Sequence, residues 1–180
     1  MHFKSRVVLD RTSPNRNAQA VIAFDDLSVV EINDDFNCNF DNATNTEACN
    51  GTILNEAPKQ QAGVYSQLTF NKITLQDRTN PGIGKFVAIQ YGSSSDNGKL
   101  SYTREIPVIE LKRAGLHNIK LYFYYNCFDT TTSINNYCTV MNDKINIEVK
   151  SADTNSWTTL ISNTFNSKSD INGIGWVQIS

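Results

Sequence analysis

Lys144-Ile145-Asn146-Ile147-Glu148-Val149-Lys150 alternates polar and apolar residues without a fault. A period of two puts Ile145, Ile147 and Val149 on one side of an extended chain and the polar residues on the other, as in a strand with one face on a core. Outward from this stretch the same pattern recurs. Phe86–Tyr91 and Leu100–Thr103 flank a polar loop holding Asn97-Gly98, a pair that tolerates positive φ and suits a hairpin. Further strands are expected at Arg6–Leu9, Ala20–Glu31, Val64–Phe70, Ile106–Leu111, Ile119–Tyr125, Trp157–Ile161 and Gly175–Ile179. About ten strands separated by Asn, Gly, Ser and Asp clusters predict an all-β fold, an antiparallel β-sandwich or jelly roll. Helical signal is thin: Gly115 interrupts Ile109–His117, and a single turn is expected there.

The chain has 180 residues, 39% of them hydrophobic, which is enough for one well-buried core and a single domain. No internal repeat or low-complexity linker divides it, and Asn33-Asp34-Asp35-Phe36-Asn37 is the nearest thing to a boundary. The net charge of −2 and scattered Lys and Arg leave no basic stripe for a phosphate backbone, so nucleic acid is not an expected partner. No apolar run approaches the roughly 20 residues that span a bilayer, so no membrane insertion is expected. Met1–Arg6 is not a charged-then-apolar leader, and a secreted parent would carry its signal outside these residues.

Four cysteines fall as two close pairs, Cys38 with Cys49 and Cys127 with Cys138, each in a polar setting. Their even number and surroundings favour disulfides and an extracellular or cell-surface location over reduced cytosolic thiols. Three connectivities are open; the two local pairs are preferred, each stapling a loop for roughly 2–3 kcal/mol. Zinc is disfavoured, because no Cys-x-x-Cys spacing occurs and His2 and His117 lie far from the pairs. Asn42-Ala43-Thr44 and Asn50-Gly51-Thr52 fit the N-glycosylation pattern and bracket Cys49, so Asn42 and Asn50 are the candidate glycan acceptors of a glycoprotein.

Cys38-Asn39-Phe40-Asp41 and Ile22-Ala23-Phe24-Asp25-Asp26-Leu27 resemble the opening Cys-x-Phe-Asp/Glu and the closing Ile-Ala-x-Asp-Asp-Ile strand of the MAM domain, an extracellular adhesion module. Here the closing phrase comes first. Gly84–Ile89, Leu121–Tyr125, Trp157 and Gly175–Ile179 look like the family's intervening strands, so nearly the whole chain has a counterpart. Where the family carries a cysteine before its Leu-x-Phe-x-Tyr strand, this chain has Asn118-Ile119-Lys120. The resemblance implies a permuted or out-of-phase jelly roll, with residues 1–31 supplying C-terminal strands to the body of residues 38–180. Phe3–Val29 would then fill the place after Ser180, beside Gly175–Ile179, with Asp26 near Asp41. Those strands either complete their own body or, by head-to-tail exchange, a neighbouring one; the tether favours the first, with an effective concentration of order mM.

A structural calcium is the one cofactor this resemblance suggests. Calcium takes six to eight oxygens, and Asp26, Asp41 and Asp25 are the candidate ligands; the alternative is solvated carboxylates at a strand edge. Catalysis is not expected. Adjacent Asp25 and Asp26 point to opposite faces of a regular strand and cannot flank one glycosidic bond, Asp34 and Asp35 lack an aromatic cleft, and no nucleophile elbow accompanies either histidine. Tyr122 and Tyr124 share one strand face and form a possible ligand platform if that face is open; Trp157 and Trp176 are expected in the core. The expected function is a non-enzymatic adhesion or protein-interaction module of a larger secreted or surface protein, its partner a protein, often homophilic. The alternatives are a carbohydrate-binding module of a bacterial secreted protein, with a glycan ligand, and a structural spacer in a repeat array.

Overall fold

A computed structural model describes residues 2–11, 18–30, 36–57, 61–70, 73–91, 98–107, 118–129, 143–151, 154–165 and 176–179. Through them run β1 (His2–Arg11), β2 (Ala18–Val30), β3 (Phe36–Cys38), β4 (Glu47–Ala48), β5 (Gly51–Asn55), β6 (Gln61–Tyr65) and β7 (Gln67–Phe70). They are followed by β8 (Ile73–Gln76), β9 (Phe86–Tyr91), β10 (Gly98–Pro107), β11 (Asn118–Asp129), β12 (Asp143–Ser151), β13 (Thr158–Phe165) and β14 (Val177–Ile179). Among the described residues there is no helix; Ile109–His117, where a turn was expected, lies outside them.

One sheet has the order β13-β12-β1-β10-β5-β4 and the second β14-β11-β2-β9-β6, with β3 also paired to β2; β7 and β8 form a separate hairpin. Every pairing is antiparallel. The fold is the expected β-sandwich. Of its longer strands, β1, β10, β12 and β13 lie in the first sheet and β2, β9 and β11 in the second.

That arrangement corrects three expectations. Phe86–Tyr91 and Leu100–Thr103 do not form a hairpin: both edges of β9 are taken by β2 and β6, and both edges of β10 by β1 and β5. Nor does the N-terminal segment lie directly beside Gly175–Ile179. β14 pairs with β11, whose opposite edge carries β2. Val64–Phe70 is likewise two elements, broken at Ser66, where the chain leaves the second sheet and enters the β7–β8 hairpin.

The core between the sheets follows from the alternating patterns. Val7 and Leu9 of β1, Ile22 and Phe24 of β2, Leu100 and Tyr102 of β10, Leu121 and Phe123 of β11, and Ile145 and Ile147 of β12 meet there. Phe40 locks one end through edge-to-face contacts with Phe24 (5.4 Å) and Tyr102 (5.2 Å). β2 and β9 are apolar on both faces, so a second cluster forms outside the second sheet, where Leu68 and Leu75 of the hairpin cover Val21, Ala23, Phe86, Ala88 and Tyr124. Trp176 closes it, edge-on to Phe86 at 5.6 Å and donating its indole N–H to the Gln76 carbonyl at 3.1 Å.

Candidate functional site

β2 does not stay regular. Lys120 stands opposite Ser28 and Tyr122 opposite Asp25, so Asp26 and Leu27 together face the single residue Leu121. This is a β-bulge, and Asp26 sits in the left-handed region at φ 49°, a conformation Asp tolerates better than most residues. The extra residue shifts the frame: Ile22 and Phe24 point into the inter-sheet core before the bulge, and Leu27 after it. The strict alternation that would send Asp25 and Asp26 to opposite faces is broken at this point, and both carboxylates reach the segment Asp77–Asn80.

Asp25 is fully buried in a central strand, not solvated at an edge. Its Oδ1 accepts the Asp26 N–H at 2.8 Å and its Oδ2 the Arg78 N–H at 3.1 Å. Burial nevertheless pushes its pKa up to about 8, with repulsion from Asp26 and Asp77 adding to the rise. Asp26 pairs with the Arg78 Nε–H, and its carboxyl too is raised, by burial first and by Asp77 and Asp41, against the lowering effect of Arg78. Asp26 therefore does lie near Asp41.

Asp77 is 2% exposed. Its Oδ1 caps the following turn, accepting from Thr79 N (2.8 Å), Thr79 Oγ1 (3.1 Å) and Asn80 N (2.6 Å), while its buried Oδ2 has no hydrogen-bond partner among the described residues. The turn Asn80-Pro81-Gly82-Ile83 is closed by Ile83 N–H to Asn80 O at 3.1 Å, with Gly82 at φ 84°, as a type II turn requires. It delivers Gly84 into a gap between two acids: a Cβ there would stand 2.5 Å from Asp41 Oδ1 and 2.6 Å from Asp77 Oδ2. Asp41 Oδ2 accepts from Asn39 and Asn80 Nδ2, at 2.7 and 2.9 Å.

As a cation cradle this set fits in part. Asp25 and Asp26 are engaged with Arg78, and among the described residues no three carboxylate, imidazole or thiolate groups converge. Asp41 Oδ1 accepts the Lys85 N–H at 3.3 Å, and it and the unpartnered Asp77 Oδ2 both lie against Gly84.

The β7–β8 hairpin covers the part of the second sheet's outer face that carries Val21, Ala23, Phe86, Ala88 and Tyr124. Beside it on the same face is an open cleft of about 610 Å³, floored by Ser28 of β2, Asn37 of β3, Lys120 and Tyr122 of β11 and Gln178 of β14, and walled by Asp26 and Arg78. Tyr122 is fixed there, its hydroxyl donating to Gln178 Oε1 at 2.9 Å and the Arg78 guanidinium lying 3.8 Å over its ring. Tyr124, two residues on, is 3% exposed and packs edge-on to Trp176 at 6.0 Å. The two tyrosines thus do not form a shared surface.

Cys38 and Cys49 are disulfide-bonded, with a Cα–Cα separation of 5.8 Å. The bond joins β3 of the second sheet to the β4–β5 turn of the first, so it clamps the two layers as well as stapling a loop. Cys127 lies on β11, and Cys138 lies outside the described residues. Asn42 and Asn50 are both exposed, on the rim of a smaller groove of about 400 Å³ in the stapled loop. Trp157 differs from expectation: it is half-buried outside the first sheet, under the Arg6 guanidinium at 4.1 Å, with Lys150 Nζ at 5.5 Å. Arg6 in turn pairs with Glu148, a residue of the polar face of β12 that is only 9% exposed.

Sequence reasoning passed over Asp77, Arg78, Lys120, Ser28 and Asn37. The available signal was Asp77-Arg78-Thr79-Asn80-Pro81-Gly82, a dense turn composition of the kind that carries function on loops. No protein-family model, no curated protein and no solved structure matches this chain.

Proposed function

We propose that the chain is a non-enzymatic, MAM-like adhesion or interaction module of an extracellular protein, and that it binds through the open polar part of the second sheet's outer face. One observation carries this: a hairpin and Trp176 seal part of that face, while beside them lies an open cleft lined by polar side chains from four strands and a loop. The Cys38–Cys49 disulfide and the exposed Asn42 and Asn50 are compatible with an extracellular location. No helix among the described residues is long and apolar enough to cross a membrane. The adjacent acids Asp25 and Asp26 are held by Arg78, which suits structure better than proton transfer.

The cation of the same reading would be held by Asp41 and Asp77, with main-chain carbonyls and water completing its oxygen shell. It would neutralise the buried Asp77 Oδ2 and tie the turn of residues 80–84 to the Cys38–Asp41 segment.

The contact face is tested by binding of the labelled domain to cell surfaces, read by flow cytometry. Ser28→Arg, which fills the cleft, is expected to abolish binding, and Leu54→Arg on the first sheet to leave it unchanged. Equal binding by both variants would remove the cleft from consideration.

A further inference from the structure

The open part of the face has a layout that selects its ligand. Asn37 of β3 pairs with Ser28 of β2, and Ser28 with Lys120 of β11, so three polar side chains from three neighbouring strands form one row across the sheet. All three line the cleft. Adjacent strands lie about 4.8 Å apart, which sets the spacing of the row. No hydrogen bond or ion pair joins the side chain of Ser28, Asn37 or Lys120 to another described residue. In the next row Gln178 stands opposite Tyr122; its Oε1 is used by the tyrosine hydroxyl, and its Nε2 remains to donate.

The charges are equally plain. Arg78 and Asp26 neutralise each other at the wall of the cleft, so among the described lining residues the charge left to a ligand is the ammonium of Lys120. Leu54, Ile83 and Leu160, the large apolar residues that stand exposed among the described ones, do not line the cleft, and its one aromatic ring is already covered on one face by Arg78. A protein partner would need an apolar centre to its interface, and a nucleic acid many unpaired cations. Among its described lining residues the cleft has neither.

With that contact surface as the premise, we propose that its occupant is an acidic oligosaccharide, a sugar carboxylate bound by Lys120 and neighbouring ring hydroxyls by Asn37, Ser28 and Gln178. The row of evenly spaced donors and acceptors suits the repeated hydroxyls of successive sugar units, and Tyr122, fixed by Gln178 and Arg78, forms a rigid wall to the site. The acid requirement comes from leaving Lys120 otherwise unpaired in a cleft whose other described charges, Asp26 and Arg78, pair with each other.

The test is an array carrying oligogalacturonate, hyaluronan fragments and sialyllactose beside neutral cellotetraose and lactose, followed by calorimetry with the strongest acidic ligand. Binding is expected to acidic members only. It should weaken about tenfold or more in Lys120→Met, because a charge-assisted hydrogen bond is lost, and be retained in Lys120→Arg. Circular dichroism checks that each variant is folded. Equal affinity for neutral sugars, unchanged affinity in folded Lys120→Met, or no acidic ligand on the array would each overturn the assignment. If the array is silent while Ser28→Arg still abolishes cell binding, the saccharide is wrong and the contact face stands; if Ser28→Arg leaves cell binding intact, both fall.

Discussion

At the scale of single residues, the acid cluster behind the cleft makes the strongest claims. Asp25 is enclosed by protein, so its ionised form loses water and gains only two backbone N–H donors. Its pKa is about 8 in the folded chain against 3.8 for the free side chain. Folding therefore favours the protonated form. The contribution is complete below the unfolded value and is lost as pH rises through the folded one, at a limiting slope of about 1.4 kcal/mol per pH unit. Urea midpoints of the EDTA-treated domain are expected to fall between pH 4 and 9, and those of Asp25→Asn to fall less; parallel profiles would count against the buried acid. Gly84 makes a second claim, because a methyl group there would meet both Asp41 and Asp77. Gly84→Ala is expected to cost about 1–3 kcal/mol by overpacking. If Asp41 and Asp77 hold calcium, the wild-type melting temperature rises with calcium over EDTA and that of Asp77→Asn does not; identical shifts in the two proteins would discount the site.

At the scale of elements, β12 shows what was legible. Its period-two pattern assigned Ile145 and Ile147 to the core they occupy, whereas Val149, on the same expected face, is only part-buried beyond the register shift at Ile147/Glu148. Period two assigns a face and says nothing about which strand lies alongside, so the partners of β9 and β10 and the position of β14 had to come from the structure. The bulge at Asp26 was hidden for a related reason: it is defined by the register against β11, a relation between distant segments. Asp77 was hidden because its unpartnered oxygen is a product of tertiary burial. The Cys38–Cys49 pairing, by contrast, could be read from proximity and polar setting alone. What proximity did not reveal is that the bond clamps the two sheets at the β4–β5 turn, where Cys49 and Asn50 both take positive φ, 46° and 60°. That geometry is a type I′ hairpin, favourable for Asn and unusual for Cys. The double variant Cys38→Ala/Cys49→Ala is expected to lose roughly 2–3 kcal/mol in denaturant unfolding, as loop closure predicts. A loss below ~1 kcal/mol would mean that the turn holds its shape unaided.

For the whole molecule, the N-terminal strands occupy the two most demanding places in the fold. β1 pairs over eight residues or more with both β10 and β12, and β2 is flanked by β11, β9 and β3. They are central strands. Removing an edge strand would expose one row of backbone groups; removing these two would open both sheets along their middles and take Val7, Leu9, Ile22 and Phe24 out of the core. Within one chain its own first residues reach these places, and since the tether favours that arrangement over exchange, light scattering is expected to report a monomer at high concentration. A fragment of residues 31–180 is expected to lack near-ultraviolet circular dichroism and to be cut rapidly by protease. Addition of a peptide of residues 1–30 should restore protection only weakly, since the tether's effective concentration of order mM is lost with the covalent link. A fragment that folds alone, with a cooperative melt near that of the full chain, would show that β1 and β2 are dispensable additions to a body already complete.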